Sequence, residues 1–129
     1  MANRYGEAAI LAARQANTPG LTPKERWESA MEKLYPTSPA ARRKGSPRGA
    51  FLGLCEEGLV QGIPAGRYSP PNDSKAYAVQ AVALLKGAAQ HWSRTALWQE
   101  VSKGSGKEHD SQIDVVLALW NKDLIVRKG

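Results

Sequence analysis

The densest cluster of positive charge in this sequence is a short basic run before its midpoint. It consists of Arg42, Arg43, Lys44 and Arg48. Ser46-Pro47, inside the run, is typical of a helix start, where free backbone N–H groups and the helix dipole favour an anion. Cationic side chains at such a point predict a contact with phosphate. The alternative interpretation is a solvated basic loop.

The residue types that carry catalysis or bind metals are sparse and poorly placed. Cys55 lies late in a predicted helix beside Glu56 and Glu57, where nothing stabilises a thiolate. The two histidines, His91 and His109, have no cysteine and no second histidine at metal-ligand spacing. We therefore predict a non-enzymatic protein with Cys55 in its core and with no catalytic residues, bound metal or cofactor.

Four tryptophans are further candidates for ligand contact, because an exposed indole stacks on nucleic-acid bases. Trp27, Trp98 and Trp120 fall on apolar positions of predicted helices, so we expect them in the core. Trp92 follows a histidine at the start of a predicted loop. It is the tryptophan that we expect at the surface.

Helix-start signals place these residues on a helical scaffold. Thr22-Pro23-Lys24-Glu25 has the pattern of a capping box with proline in the first turn. Apolar residues at helical spacing follow it, and a proline at position 36 ends the pattern. An earlier helix is predicted from Arg4 to Ala16. The further predicted N-caps are Ser38, Ser46, Ser93 and Ser111.

The second half of the sequence restates the first. Trp27 lies 22 residues after Tyr5, and Trp98 lies 21 residues after Tyr77. The closing segments 51–60 and 116–125 align without gaps. Gly58 is well placed as the left-handed residue that ends the closing helix of the first, and aspartate replaces it in the second.

We predict an all-α fold of two degenerate tandem repeats, 1–63 and 74–129, of about three helices each, with at most a short strand after each closing helix. The linker is 64–73, and the repeats pack as a single domain.

The bulk composition constrains partners and compartment. The net charge is +6 and divides evenly at +3 for each half, so no basic tail is present. A basic balance favours an acidic partner such as nucleic acid. No run approaches the roughly twenty apolar residues of a membrane span. A single cysteine excludes an internal disulfide framework, and we expect a cytoplasmic protein.

Two resemblances accompany this pattern. The strings GAFLGLCEEGLV at 49–60 and SQIDVVLALW at 111–120 resemble those of a small bacterial protein family of uncharacterised function. With the start at 3–9, the resemblance spans most of the chain. It implies a bacterial or phage origin and supplies no activity, cofactor or site residue. The end of each repeat also resembles a helix-turn-helix unit, in which the last helix reads DNA.

The leading functional expectation is a non-enzymatic nucleic-acid-binding module that uses Arg42, Arg43, Lys44 and Arg48. The alternative is a protein–protein interaction or assembly module that uses a groove between the repeats, including self-association as a homodimer. Salt-sensitive binding to nucleic acid would favour the first, and a stable oligomer without such affinity the second. An enzyme whose site is assembled from distant residues is a third class that sequence spacing does not reveal.

Overall fold

The structure is a computed structural model that describes residues 4–14, 21–70, 72–87, 92–103 and 111–126. The named secondary-structure elements in these residues are all α-helices. This confirms the predicted all-α class. The helices are α1 (Tyr5–Arg14), α2 (Pro23–Leu34), α3 (Pro39–Arg42), α4 (Gly45–Glu56), α5 (Asp73–Gly87), α6 (Arg94–Val101) and α7 (Gln112–Asn121). The predicted end of the first helix at Ala16 lies outside the described residues. α5 begins inside the predicted linker.

Short-range capping signals fix several helix starts. Thr22 Oγ1 accepts the Glu25 N–H at 3.1 Å, and Glu25 Oε1 accepts the Thr22 N–H at 3.0 Å, so the predicted capping box is present. Ser38 and Ser93 cap α3 and α6 in the same way, each accepting the N–H three residues on. These predictions are confirmed because all the contacts lie within one helical turn.

The prediction that Ser46 caps α4 is wrong. α4 begins two residues earlier than this prediction, at Gly45, and its N-cap residue Lys44 makes no side-chain capping bond. Pro47 is therefore the third helical residue, which proline tolerates because first-turn N–H groups have no intrahelical partner. Ser111 does precede α7, but with a left-handed φ of 74° and without a side-chain capping bond.

α4 is the central helix. Its buried residues are Pro47, Gly49, Ala50, Phe51, Leu52, Gly53, Leu54 and Cys55. A Cβ on Gly53 would lie 2.5 Å from Lys75 Cβ, and one on Gly49 would lie 2.6 Å from Asn72 Oδ1. The close approach of α4 to α5 therefore requires glycine at position 53, where the Lys75 backbone is also close, whereas a Cβ at position 49 would displace the Asn72 side chain. α1 packs on α7 in turn, so each half of the chain covers the last helix of the other.

The buried core draws on both halves. Its largest buried side chains include Trp27, Phe51, Leu54, Leu97, Ile113 and Leu119. Trp27 stacks on Phe51 with ring centroids 5.3 Å apart, and Trp98 is buried against Tyr77. Trp120 is half-buried rather than in the core, because it lies in the last turn of α7 beside an exposed turn. Trp92, expected at the surface, is also half-buried and packs on the core.

The ends of α4 and α7 have the same geometry. Gly58 and Asp123 both have left-handed backbone, with φ of 70° and 58°. The next residue in each case donates its N–H to a carbonyl five residues back, at 3.0 and 2.9 Å. This is the Schellman type of helix end, and glycine supplies its left-handed residue most easily. The predicted left-handed end at Gly58 is confirmed.

The two chain segments that leave these helix ends pair with each other. Val60 and Ile125 form an isolated antiparallel bridge. The Gln61 N–H donates to Leu124 O and the Val126 N–H donates to Leu59 O, both at 2.8 Å. This agrees with the expectation of at most short extended segments after the two closing helices. Within the described residues, no helix is both long and apolar enough to cross a membrane.

Candidate functional site

The predicted basic cluster lies on the corner where α2, α3 and α4 meet. Ser38 opens α3, and the Tyr5 hydroxyl donates to Ala41 O at 3.2 Å, which ties this corner to α1. The four cations thus sit on a rigid turn rather than on a free loop. The turn nevertheless uses two of them for its own construction.

Arg42 is committed to the fold. Its Nη1 donates to Tyr35 O and to Pro36 O, both at 3.1 Å. These carbonyls follow the last turn of α2, where the helix leaves acceptors without intrahelical donors. Arg42 therefore stabilises the end of α2 and is the least available of the four for a ligand.

Lys44 is also engaged within the protein. Its Nζ lies 5.5 Å from the centroid of the Tyr5 ring, within the range of a cation–π contact. The side chain is half-buried. Its charge still contributes to the local potential, but its position is set by α1 rather than by an external partner.

Arg43 and Arg48 are the two cations directed outward. Arg43 is exposed, and Arg48 is half-buried in a cleft of about 370 Å³ at the start of α4. Neither side chain has a hydrogen bond or ion pair with another described residue. The first turn of α4 has no acidic residue, so its dipole adds to the positive potential of the two guanidinium groups.

The same cleft brings the start of α5 close to the start of α4. Its lining includes Ser46, Ser69, Asn72 and Ser74 besides Arg48. Ser74 is 8 % exposed, and its Oγ accepts from Gln112 Nε2, at the start of α7, at 3.5 Å. The starts of α4 and α5 therefore lie beside Arg48, and the N–H groups of two helix N-termini favour an anion there, partly offset by the Asp73 carboxylate in the first turn of α5.

The faces of α4 are not available to a ligand, because eight of its residues are buried. A helix that reads base edges must lay one exposed face in the major groove. Only the N-terminal end of α4 is accessible beside Arg43 and Arg48. A nucleic acid would thus meet this helix end-on, through phosphates.

Several other predicted candidates are now placed. Cys55 is fully buried, and burial raises the pKa of its thiol, which agrees with a core role. The remaining candidates, His91 and His109, lie outside the described residues. Among the residues that are described, no group of three potential ligands could hold a metal ion.

A second charged cluster was missed by the sequence analysis. Lys75 Nζ donates to Glu56 Oε1 at 3.0 Å and to Glu57 Oε2 at 3.1 Å. Glu56 Oε2 also accepts the N–H groups of Tyr68 and Ser69, both at 2.8 Å. Adjacent glutamates gave no sign of this arrangement, because their partners come from a loop and a helix 12 to 19 residues later.

The hydrogen bonds within this cluster set the direction in which the pKa values of Glu56 and Lys75 are shifted. Burial by itself would raise the pKa of Glu56, but the bonds from Tyr68, Lys75 and Ser69 outweigh burial and hold the pKa below its ordinary value. The bonds to Glu56 and Glu57 raise the pKa of Lys75. Glu56 and Lys75 are therefore both charged at neutral pH.

Comparison with known proteins gives one family match. No curated protein and no solved structure matches the chain. The family of unknown function DUF6979 matches residues 2–126, nearly the whole sequence. The resemblance to an uncharacterised family is thereby confirmed, and the chain belongs to the family of unknown function DUF6979.

Proposed function

We propose that this protein is a non-enzymatic nucleic-acid-binding module that contacts phosphates without reading base sequence. The observation that carries the proposal is the pair of outward cations, Arg43 and Arg48, beside the uncapped start of α4. Phosphate is favoured there by cationic side chains and by the helix dipole together. The net charge of +6 adds long-range attraction for a polyanion.

The experiment is a fluorescence-anisotropy titration against labelled single- and double-stranded 20-mers over a series of KCl concentrations. Binding through phosphates should weaken linearly in log K against log salt, with a slope of about −0.9 per phosphate contact on duplex. Arg43→Ala and Arg48→Ala should each reduce the magnitude of this slope by about the value for one phosphate contact. The reduction should be the same for oligonucleotides of different base sequence. Arg67→Ala, which removes an exposed arginine elsewhere, is the matched control and should leave the slope unchanged.

Two results would contradict the proposal. One is the absence of salt-sensitive binding to every strand tested. The other is binding whose slope is the same in the Arg43→Ala and Arg48→Ala double variant as in the unaltered protein. Circular dichroism of each variant checks that the fold is retained, which we expect because both side chains lack partners among the described residues.

We propose an interaction or assembly module as the second candidate. Its support is a half-exposed apolar pair one turn apart on α7, Leu117 and Trp120, since a partly exposed tryptophan is typical of interface centres. Sedimentation equilibrium showing a stable oligomer, with no affinity for nucleic acid, would favour this function over the first.

We propose further that 1–63 and 74–129 are two copies of one unit, joined by the segment 64–73 in a single domain. The reciprocal bonds around Val60 and Ile125 and the matching left-handed ends of α4 and α7 support this arrangement. A cytoplasmic location in a bacterial or phage-infected cell belongs to the same proposal, supported by the lone buried thiol of Cys55.

A further inference from the structure

A second cleft adjoins the one beside Arg48, with which it shares Ser69 and Asn72, and has no role in the proposed function. It runs between the C-terminal end of α4, the segment 66–69 and the outer side of α5, and has a volume of about 850 Å³. That volume is within the range of roughly 300–1,000 Å³ typical of small-ligand sites.

One end of this cleft is polar and firmly built. The Glu56 side chain is 8 % exposed and holds the backbone N–H groups of Tyr68 and Ser69 at 2.8 Å. The Gly66 N–H donates to Glu56 O at 3.2 Å, so the segment is bonded to α4 at several points. A wall fixed in this way needs little ordering when a ligand binds.

The charges at this end balance. Glu56 and Glu57 share Lys75, and the Glu57 side chain remains 50 % exposed. Arg67 is exposed and lines the cleft, without a partner among the described residues. A purely anionic head group would meet the half-exposed Glu57 carboxylate, and a purely cationic one would meet Arg67. A head group with both charges can pair with each.

The other end of the cleft is apolar. Ala76, Val79 and Ala83 line it at helical spacing along α5, with Gln80 as the one polar residue among them in the lining. From Ala76 to Ala83 the helix rises about 10 Å at 1.5 Å per residue. The cleft therefore offers a charged end and an apolar floor long enough for more than one aliphatic side chain.

We propose that this cleft binds a small zwitterion with an apolar body, such as a dipeptide of aliphatic residues. Its carboxylate pairs with Arg67, its ammonium pairs with Glu57, and its side chains lie on the α5 floor. Glu56 and Lys75 position the two contact residues and do not pair with the ligand. The site is separate from Arg43 and Arg48 and does not rest on the proposed function.

The test is a calorimetric or NMR titration of the full chain with leucyl-leucine in four forms: free, N-acetylated, C-terminally amidated, and blocked at both ends. The free dipeptide should bind saturably. Each singly blocked form should bind about three- to five-fold more weakly, the size expected for one partly exposed ion pair. The doubly blocked form should bind most weakly.

Two variants make the assignment specific. In Arg67→Ala the free and amidated forms should bind equally, and in Glu57→Gln the free and N-acetylated forms should bind equally. Arg43→Ala is the matched control and should bind all four forms as the unaltered protein does. Both altered side chains are exposed, and circular dichroism confirms that each variant is folded before titration.

Absence of saturable binding by the free dipeptide would overturn the proposal. Equal binding of the free and doubly blocked forms would also overturn it and would indicate an internal segment of a partner chain as the occupant. The proposal would also be overturned if both Arg67→Ala and Glu57→Gln still bound the free dipeptide more tightly than the singly blocked forms. None of these outcomes bears on nucleic-acid binding, which is measured by Arg43→Ala and Arg48→Ala with Arg67→Ala as control.

Discussion

At the scale of single residues, the same charged residue type serves different purposes depending on what lies near it. Arg42 donates to two carbonyls at the end of α2, whereas its neighbour Arg43 is exposed. Glu56 is nearly enclosed by N–H and ammonium donors, and Glu57 beside it is half-exposed. Sequence adjacency therefore says little about which charge supports the fold.

The lowered pKa of Glu56 gives a prediction on stability against pH. A carboxyl whose pKa is lower in the folded state contributes stability above its unfolded value near 4.5, and this stability is lost as pH falls through the folded pKa. Glu56→Gln should lower the free energy of unfolding by about 1.5–3 kcal/mol at pH 7. The difference from the unaltered protein should shrink below pH 4.5.

Urea denaturation followed by tryptophan fluorescence between pH 3 and 7 measures this effect. Glu57→Gln is the control, and its half-exposed ion pair should account for less than about 1 kcal/mol. A Glu56→Gln deficit that stayed constant down to pH 3 would mean that ionisation of Glu56 does not stabilise the fold.

At the scale of elements, the capping motifs in the sequence predicted helix starts correctly where the donor and the acceptor lie within one helical turn. The capping box of α2 and the serine caps of α3 and α6 are present as predicted, since each bond spans three residues. The start of α4 was predicted two residues too late, because proline is tolerated at any position of the first helical turn. The Schellman ends of α4 and α7 are also local, and they differ in the residue that adopts the left-handed backbone.

That difference predicts that two substitutions change the stability of the protein in opposite directions. Asp123→Gly should stabilise the protein by about 0.5 kcal/mol, because glycine adopts a positive φ without the steric cost of a side chain. Gly58→Asp should destabilise it by about 1 kcal/mol for the same reason. Thermal and urea denaturation compare the two variants. Changes of equal sign would show that contacts other than backbone conformation decide these helix ends.

At the scale of the whole molecule, the two halves depend on each other. α1 packs on α7 and α5 packs on α4, so the closing helix of each half is covered mainly by helices of the other half. The bonds between Gln61 and Leu124 and between Val126 and Leu59 add a second link across the halves. Separation of the halves should expose apolar surface on both.

A fragment experiment tests this dependence. The fragments 1–70 and 71–129 should each show little helix by circular dichroism, because most core side chains lose their partners. An equimolar mixture should recover the helical signal and a cooperative thermal transition. Either fragment unfolding cooperatively alone would show that its half is an independent domain.

The sequence by itself determined the helical class, most helix starts, the left-handed end at Gly58 and the burial of Cys55 and Trp27. These features depend on residues within about one turn, or on the apolar character of one helix face. The tertiary structure decided how the charges are used. Lys44 is engaged by Tyr5 of α1, Arg42 by two carbonyls just after α2, and Glu56 by a loop and by α5. The contacts of Lys44 and Glu56 join residues far apart in the chain, and those of Arg42 depend on how the chain turns between α2 and α3, so no local pattern encodes them.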